Sequence, residues 1–314
     1  MFIEQAYKGS TEIWKYILGV VTVFIGWQFI GAIPLGIAVF IKAAGTNTFP
    51  TEIGEMVKLL GANPFLVLLI LTFVGGLAAL FFWTKFIHQL SIKNLTTARA
   101  KVDYNRILFG FVIVVVINLT VFGLGYFLAP EDYQWNFNLA NFAVLALITI
   151  FLLPIQTSFE EYFMRGYMMQ GLGVITKNRW FPLFFTSIFF GLLHIFNPEV
   201  EKLGYIVMVY YIGTGFLLGI MTLMDDGMEL ALGYHAGNNM LAALLVTSDW
   251  TALQTDSIFL DISDPEVGLE IIFPVLLYAL ILFILAKKYK WSNWNEKLFG
   301  KVIPPVEIAE ENQE

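Results

Sequence analysis

Residues 139–170 read LANFAVLALITIFLLPIQTSFEEYFMRGYMMQ. The segment begins as lipid-soluble helix, yet it carries Glu160, Glu161 and Arg165 with no break between. A charged side chain at the centre of a bilayer costs about 2.5–3.5 kcal/mol on insertion scales. Partners elsewhere in the chain must offset that cost. Two other polar places in apolar surroundings qualify: His194, and His235 with Asn239.

The rest of the chain has the same character. Hydrophobic residues make up 58% and charged residues 14%, and mean hydropathy is +0.72. A soluble domain carries about 25% charge. The expected fold is therefore all-α, a polytopic membrane protein forming a single membrane domain over 1–314. The absence of cysteine excludes disulfides, thiolate metal sites and a cysteine nucleophile. The N-terminus lacks a basic start and a small-residue cleavage site, so the first apolar segment is expected to remain as a span.

Eight transmembrane helices are expected, at about 14–41, 64–88, 107–128, 139–170, 182–196, 203–224, 229–246 and 269–286. Pro34 is expected to kink the first, Pro64 to start the second, Gly171 and Gly173 to stop the fourth, and Pro182 to open the fifth. Residues 1–13 read as a short polar segment and 51–62 as a short amphipathic helix. With the N-terminus inside, the basic segments 89–106, 177–179 and 287–301 fall inside, and the acidic loops 129–136 and 249–266 fall outside. Both termini are then cytoplasmic, with 287–314 a cytoplasmic tail, unstructured beyond Pro304. In a bacterial cell the membrane is the plasma (inner) membrane. The acidic turn 225–229 runs against this rule.

Glu161 and Arg165 are four apart in the favourable acid-first order, which pairs them on one helix face. They are the expected structural support of the site. Glu160 projects roughly 100° away and has no cation at i+3 or i+4, so it is the candidate reactive carboxylate. Asn239 lies one turn after His235, on the same face. Counting from the expected helix ends at ~1.5 Å per residue puts Glu160, His194 and His235 ~15, ~18 and ~12 Å from the same boundary. Three helices can thus present one polar cluster near mid-membrane. His88 reads as an interface residue, the aromatics around Phe190 as packing or lipid-facing, and Gly215 with Gly219 as a small-residue pair for close helix approach.

A carboxylate and an imidazole can hold and deprotonate one water, while a second imidazole and an amide stabilise an oxyanion. That is peptide hydrolysis without a covalent intermediate. Alternatively, Glu160, His194 and His235 could bind zinc as a His2Glu site. Asn239 is a poor zinc ligand and favours the version without a cofactor.

Glu160-Glu161…Arg165, Phe190…His194 and His235…Asn239 match the patterns EExxxR, FxxxH and HxxxN, in that order. The chain thereby resembles the CAAX prenyl protease and bacteriocin-processing (CPBP, or ABI) family of intramembrane endopeptidases, over roughly 140–245. The resemblance implies an eight-helix fold with a cavity toward the inner side. It implies that Glu160 and His194 activate a water, and that His235 and Asn239 stabilise the oxyanion. It also implies a membrane-bound or prenylated peptide substrate. Membrane lipid and such a substrate are the expected partners, and nucleic acid is not. Two competing readings are a non-catalytic bacteriocin-immunity or scaffold protein and a proton-coupled carrier. The carrier would need inverted repeats, and the sequence shows no repeat.

Overall fold

Backbone that crosses lipid must satisfy its own hydrogen bonds, and this chain does so with helices. The computed structural model describes residues 1–45, 49–264 and 269–304. Its helices are α1 (Ile13–Ala44), α2 (Ile53–Leu60), α3 (Ala62–Ile87), α4 (Ile92–Thr96), α5 (Tyr104–Leu128) and α6 (Leu139–Thr176). They continue with α7 (Trp180–Leu192), α8 (Pro198–Leu203), α9 (Tyr205–Met224), α10 (Glu229–Leu245), α11 (Leu269–Tyr289) and α12 (Trp294–Phe299). Among the described residues, five of these are long and apolar enough to cross a membrane: α1, α3, α5, α6 and α9. The remaining three expected spans are also helical, α7 with 13 residues, α10 with 17 and α11 with 21. Large apolar side chains such as Phe24, Phe40, Leu108 and Val116 face outward along the bundle.

Several helices depart from the expected outline, each for a visible reason. In α1 the irregularity precedes Pro34: a π segment spans Gly26–Ile30, and Pro34 then sits in the first turn of the next stretch. A Cβ on Gly26 or Gly31 would collide with α3, so the close approach needs glycine there. Helix α6 breaks at Leu152, just before Pro154, and carries a π segment over Tyr162–Met168. It does not stop at Gly171 or Gly173. Those glycines leave room for Tyr16 and Ile3, and the helix ends at Lys177 in the left-handed region, φ 53°. Helix α7 is shorter than expected and ends at Leu192, so His194 lies on the turn after it.

The N-terminal segment is not a polar overhang. Phe2, Ile3 and Ala6 are buried with Met169, Leu183, Met224, Leu298 and Val302. His88 is not an interface residue either. It is buried, with Nδ1 donating to the Ser10 carbonyl at 2.7 Å and Nε2 2.9 Å from the Tyr167 hydroxyl. It ties the start of the chain to α6.

The two ends of the bundle differ sharply. At the basic end, Arg99 reaches Asp225 at 2.7 Å and Glu229 at 3.0 Å, Arg106 also pairs with Asp225, and Lys297 pairs with Asp226. The acidic turn 225–229 therefore belongs beside the basic segments, because their cations neutralise it. At the other end, β1 (Tyr133–Trp135), β2 (Val246–Thr247) and β3 (Phe259–Asp261) form a small sheet in the order β1-β3-β2. Strand β1 pairs antiparallel with β3, Gln134 opposite Leu260, and β2 runs parallel to β3. The acidic loops are thus knitted together over that end.

Candidate active site

Helix α10 is pressed onto α5. Any Cβ at Gly233 would collide with the Ile107 carbonyl, and one at Gly110 with the Leu230 carbonyl. This contact fixes the height and rotation of His235. On the other side α10 meets the second half of α6, which brings Glu160 and Glu161 to it.

The paired glutamates separate as the helix geometry requires. Glu161 is fully buried, and its Oε1 accepts from Arg165 Nη1 at 3.0 Å. Arg165 is equally buried, donates through Nη2 to the Gly215 carbonyl at 3.1 Å, and lies 4.4 Å from the Phe190 ring centre. Leaving either charge alone in such a place would cost several kcal/mol, about 3–5. Gly215 also provides the close approach of α9 to Ser187 on α7, as its small size suggests. Glu160 instead faces a cavity, its side chain 14% exposed.

His235 joins the two carboxylates. Its Nδ1 lies 2.8 Å from Glu161 Oε1, and its Nε2 lies 3.3 Å from Glu160 Oε2. The same Oε1 accepts from Arg165 Nη1, so the short contact to it is made by a hydrogen on His235 Nδ1. Its Nε2 faces Glu160 at the cavity wall, so the two side chains form a carboxylate–imidazole pair there.

His194 lines the same cavity but touches neither of these groups. Its Nδ1 donates to the Phe190 carbonyl at 2.8 Å, which leaves Nε2 free to accept. Its ring stacks on Tyr211 at 4.2 Å. Tyr211 in turn donates to Glu199, which also accepts from Asn197 Nδ2 at 3.0 Å and from the Ala252 amide at 2.9 Å. Phe190 is therefore more than packing: it covers Arg165 and its carbonyl orients His194. Asn239 lies in the cavity wall and donates to Gln156 Oε1 at 3.1 Å. Gln156 and Glu199 escape a motif reading. The available signal for Gln156 was its place one turn before Glu160, on the same face.

The cavity holds about 700 Å³. Its polar wall carries Glu160, His194, His235 and Asn239, and its apolar wall includes Leu66, Phe73, Ile117 and Leu277. It runs from Glu160 toward the acidic loops, with Trp250, Thr251 and Asp261 at that end. An inner-side cavity and an inside location of the basic segments are mutually exclusive expectations, because the cavity occupies the half of the bundle opposite those segments.

Both nitrogens of His235 face carboxylates, and among the described residues no three His, Cys, Asp or Glu side chains converge to hold a metal ion.

Fold and site define a helical membrane protein with a carboxylate–imidazole pair in a cavity between its helices. Residues 139–241 match the family described as "Type II CAAX prenyl endopeptidase Rce1-like", a family of proteases, and the three motifs lie in that region. Over 246 residues the chain is 28% identical to the uncharacterized protein YyaK of Bacillus subtilis strain 168, covering 76% of this chain and 80% of the relative. No solved structure matches it.

Proposed function

We propose that this protein is an intramembrane endopeptidase that hydrolyses a peptide bond in a membrane-bound or prenylated substrate, using water and no metal. Glu160 and His194 hold the water between a carboxylate oxygen and the free Nε2. The water oxygen attacks the peptide carbonyl carbon, and its proton passes to Glu160. Once Glu160 has taken the water proton, an Nε2–H of His235 turns from it to the oxyanion, Asn239 donates its second N–H, and the proton on Glu160 then moves to the departing amine as the C–N bond breaks. Glu161 and Arg165 position the site: Glu161 accepts from His235 Nδ1 and so orients the ring, and Arg165 holds the Glu161 carboxylate in place. The observation that carries this reading is the Glu160–His235 contact at 3.3 Å, at the wall of a cavity roomy enough for a peptide.

The same reading places the eight apolar helices as eight spans of one membrane domain. Both termini lie in the cytoplasm, and in a bacterium the membrane is the plasma membrane. Lipid and a lipidated or membrane-anchored peptide are its partners. The test is cleavage of a quenched-fluorescent prenylated CAAX peptide by purified protein, beside Glu160→Gln and with a chelator added. Cleavage lost only in the mutant supports a glutamate–water mechanism. Loss with chelator and rescue by zinc would reject it. A protection phenotype untouched by Glu160→Gln would favour the non-catalytic immunity role.

A further inference from the structure

Helices α6 and α10 run antiparallel, and they meet in two polar rungs one turn apart. The deeper rung is Glu160 with His235. The other is Gln156 with Asn239. This second rung continues sideways. Asn118 Nδ2 on α5 donates to Asn238 Oδ1 at 3.0 Å, Asn238 Nδ2 donates to Asn239 Oδ1 at 3.1 Å, and Asn239 Nδ2 donates to Gln156 Oε1. Each amide passes its hydrogen in the same direction. All four residues line the cavity.

A primary amide has two N–H donors and one carbonyl oxygen. In Asn239 the oxygen and one N–H are already engaged. In Gln156 only the oxygen is engaged, and Nε2 has no partner among the described residues. Four amides in an apolar membrane cavity are costly unless their capacity is used. The ladder therefore ends in an unused donor pair, one turn from the reactive carboxylate and fixed in direction from behind.

We propose that Gln156 is a further substrate-contacting residue, whose Nε2 hydrogens bind the carbonyl oxygen of the scissile peptide bond. Asn118 and Asn238, together with the engaged N–H of Asn239, keep this amide from flipping, while the second N–H of Asn239 stays available to the oxyanion. This deepens the peptidase reading and rests on it.

The test measures binding, so that it does not depend on turnover. Glu160→Gln protein is titrated with a prenylated CAAX peptide and with the same peptide carrying an E-alkene in place of the scissile amide. One neutral hydrogen bond predicts a preference of roughly two- to tenfold for the amide peptide. Adding Gln156→Leu should erase that preference at an unchanged melting temperature. Gln156→Glu keeps the shape but replaces donors with an acceptor, and it should erase the preference too. A preference that survives both changes overturns the assignment and leaves the peptidase reading standing. Failure of Glu160→Gln protein to bind either peptide overturns both.

Discussion

His235 turns its Nδ1 to Glu161 at 2.8 Å, so the second glutamate of the pair reaches the chemistry through the imidazole as well as bracing Arg165. The adjacent glutamates therefore fail differently when changed. Glu160→Gln should abolish cleavage and leave the melting temperature close to wild type, because its side chain borders the cavity. Glu161→Gln leaves a fully buried Arg165 without its counter-charge, at a cost of about 3–5 kcal/mol. It should lower the melting temperature in detergent and the yield of folded protein. Equal melting temperatures for the two variants would contradict this division.

Arg165→Ala removes the same ion pair from the other side, and with it the bond to the Gly215 carbonyl and the cover over Phe190. The loss should match or exceed that of Glu161→Gln. Combining the two changes should cost less than the sum of the separate effects, since the pair disappears as a unit. Thermal unfolding of the single and double variants measures this; simple additivity would show that the pair is not coupled.

Glu199 links His194 to the loop before β3. It holds Tyr211, on which His194 stacks, and it accepts from the Ala252 amide of the segment bordering the cavity. Ala252→Pro deletes that amide hydrogen. Because the chain has no cysteine, a single Thr251→Cys reports on the segment. Maleimide should label Thr251→Cys several-fold faster once Ala252→Pro is added. An unchanged labelling rate would mean that the Glu199 bond does not hold the segment in place.

Gly233 faces the Ile107 carbonyl with no room for a methyl group. Gly233→Ala must push α10 away from α5, and His235 moves with α10. Overpacking of this kind costs about 1–3 kcal/mol. Cleavage should fall further than stability does, since the 3.3 Å contact between His235 and Glu160 depends on this spacing. A variant with wild-type activity would show that the site tolerates the displacement.

The parts of the site that the sequence made legible obey local rules. The i,i+4 spacing of Glu161 and Arg165 foretold their pairing, and the 100° turn to Glu160 foretold that it would face elsewhere. The eight apolar segments appear as helices, and among the described residues five are long and apolar enough to cross a membrane. What escaped depends on tertiary contact. The helix stop assigned to Gly171 and Gly173 failed because these glycines receive Tyr16 and Ile3 from a distant part of the chain. The acidic turn at 225–229 runs against the charge rule in sequence because its partners, Arg99, Arg106 and Lys297, come from distant segments. The bond of His235 to Glu161, the amide ladder and the β1-β3-β2 cap join segments far apart in sequence, where no periodicity could announce them.

The cavity's direction carries the last prediction. Lys and Arg placement predicts that the segments 89–106, 177–179 and 287–301 lie inside. The cavity lies in the opposite half, bordered by Trp250, Thr251 and Asp261. Together these predict a mouth of the site on the outer face, with substrate entering from there. Single cysteines at Asp249 and Lys101, both exposed, mark the two ends of the bundle. On intact cells a membrane-impermeant maleimide should label Asp249→Cys, and should label Lys101→Cys only after lysis. The reverse pattern would place the cavity on the inner face, as the family resemblance implies. The charge distribution would then have given the wrong orientation, and the neutralisation of Arg99 and Arg106 by buried Asp225 and Glu229 would supply the reason: cations already paired inside the protein count for less in setting topology.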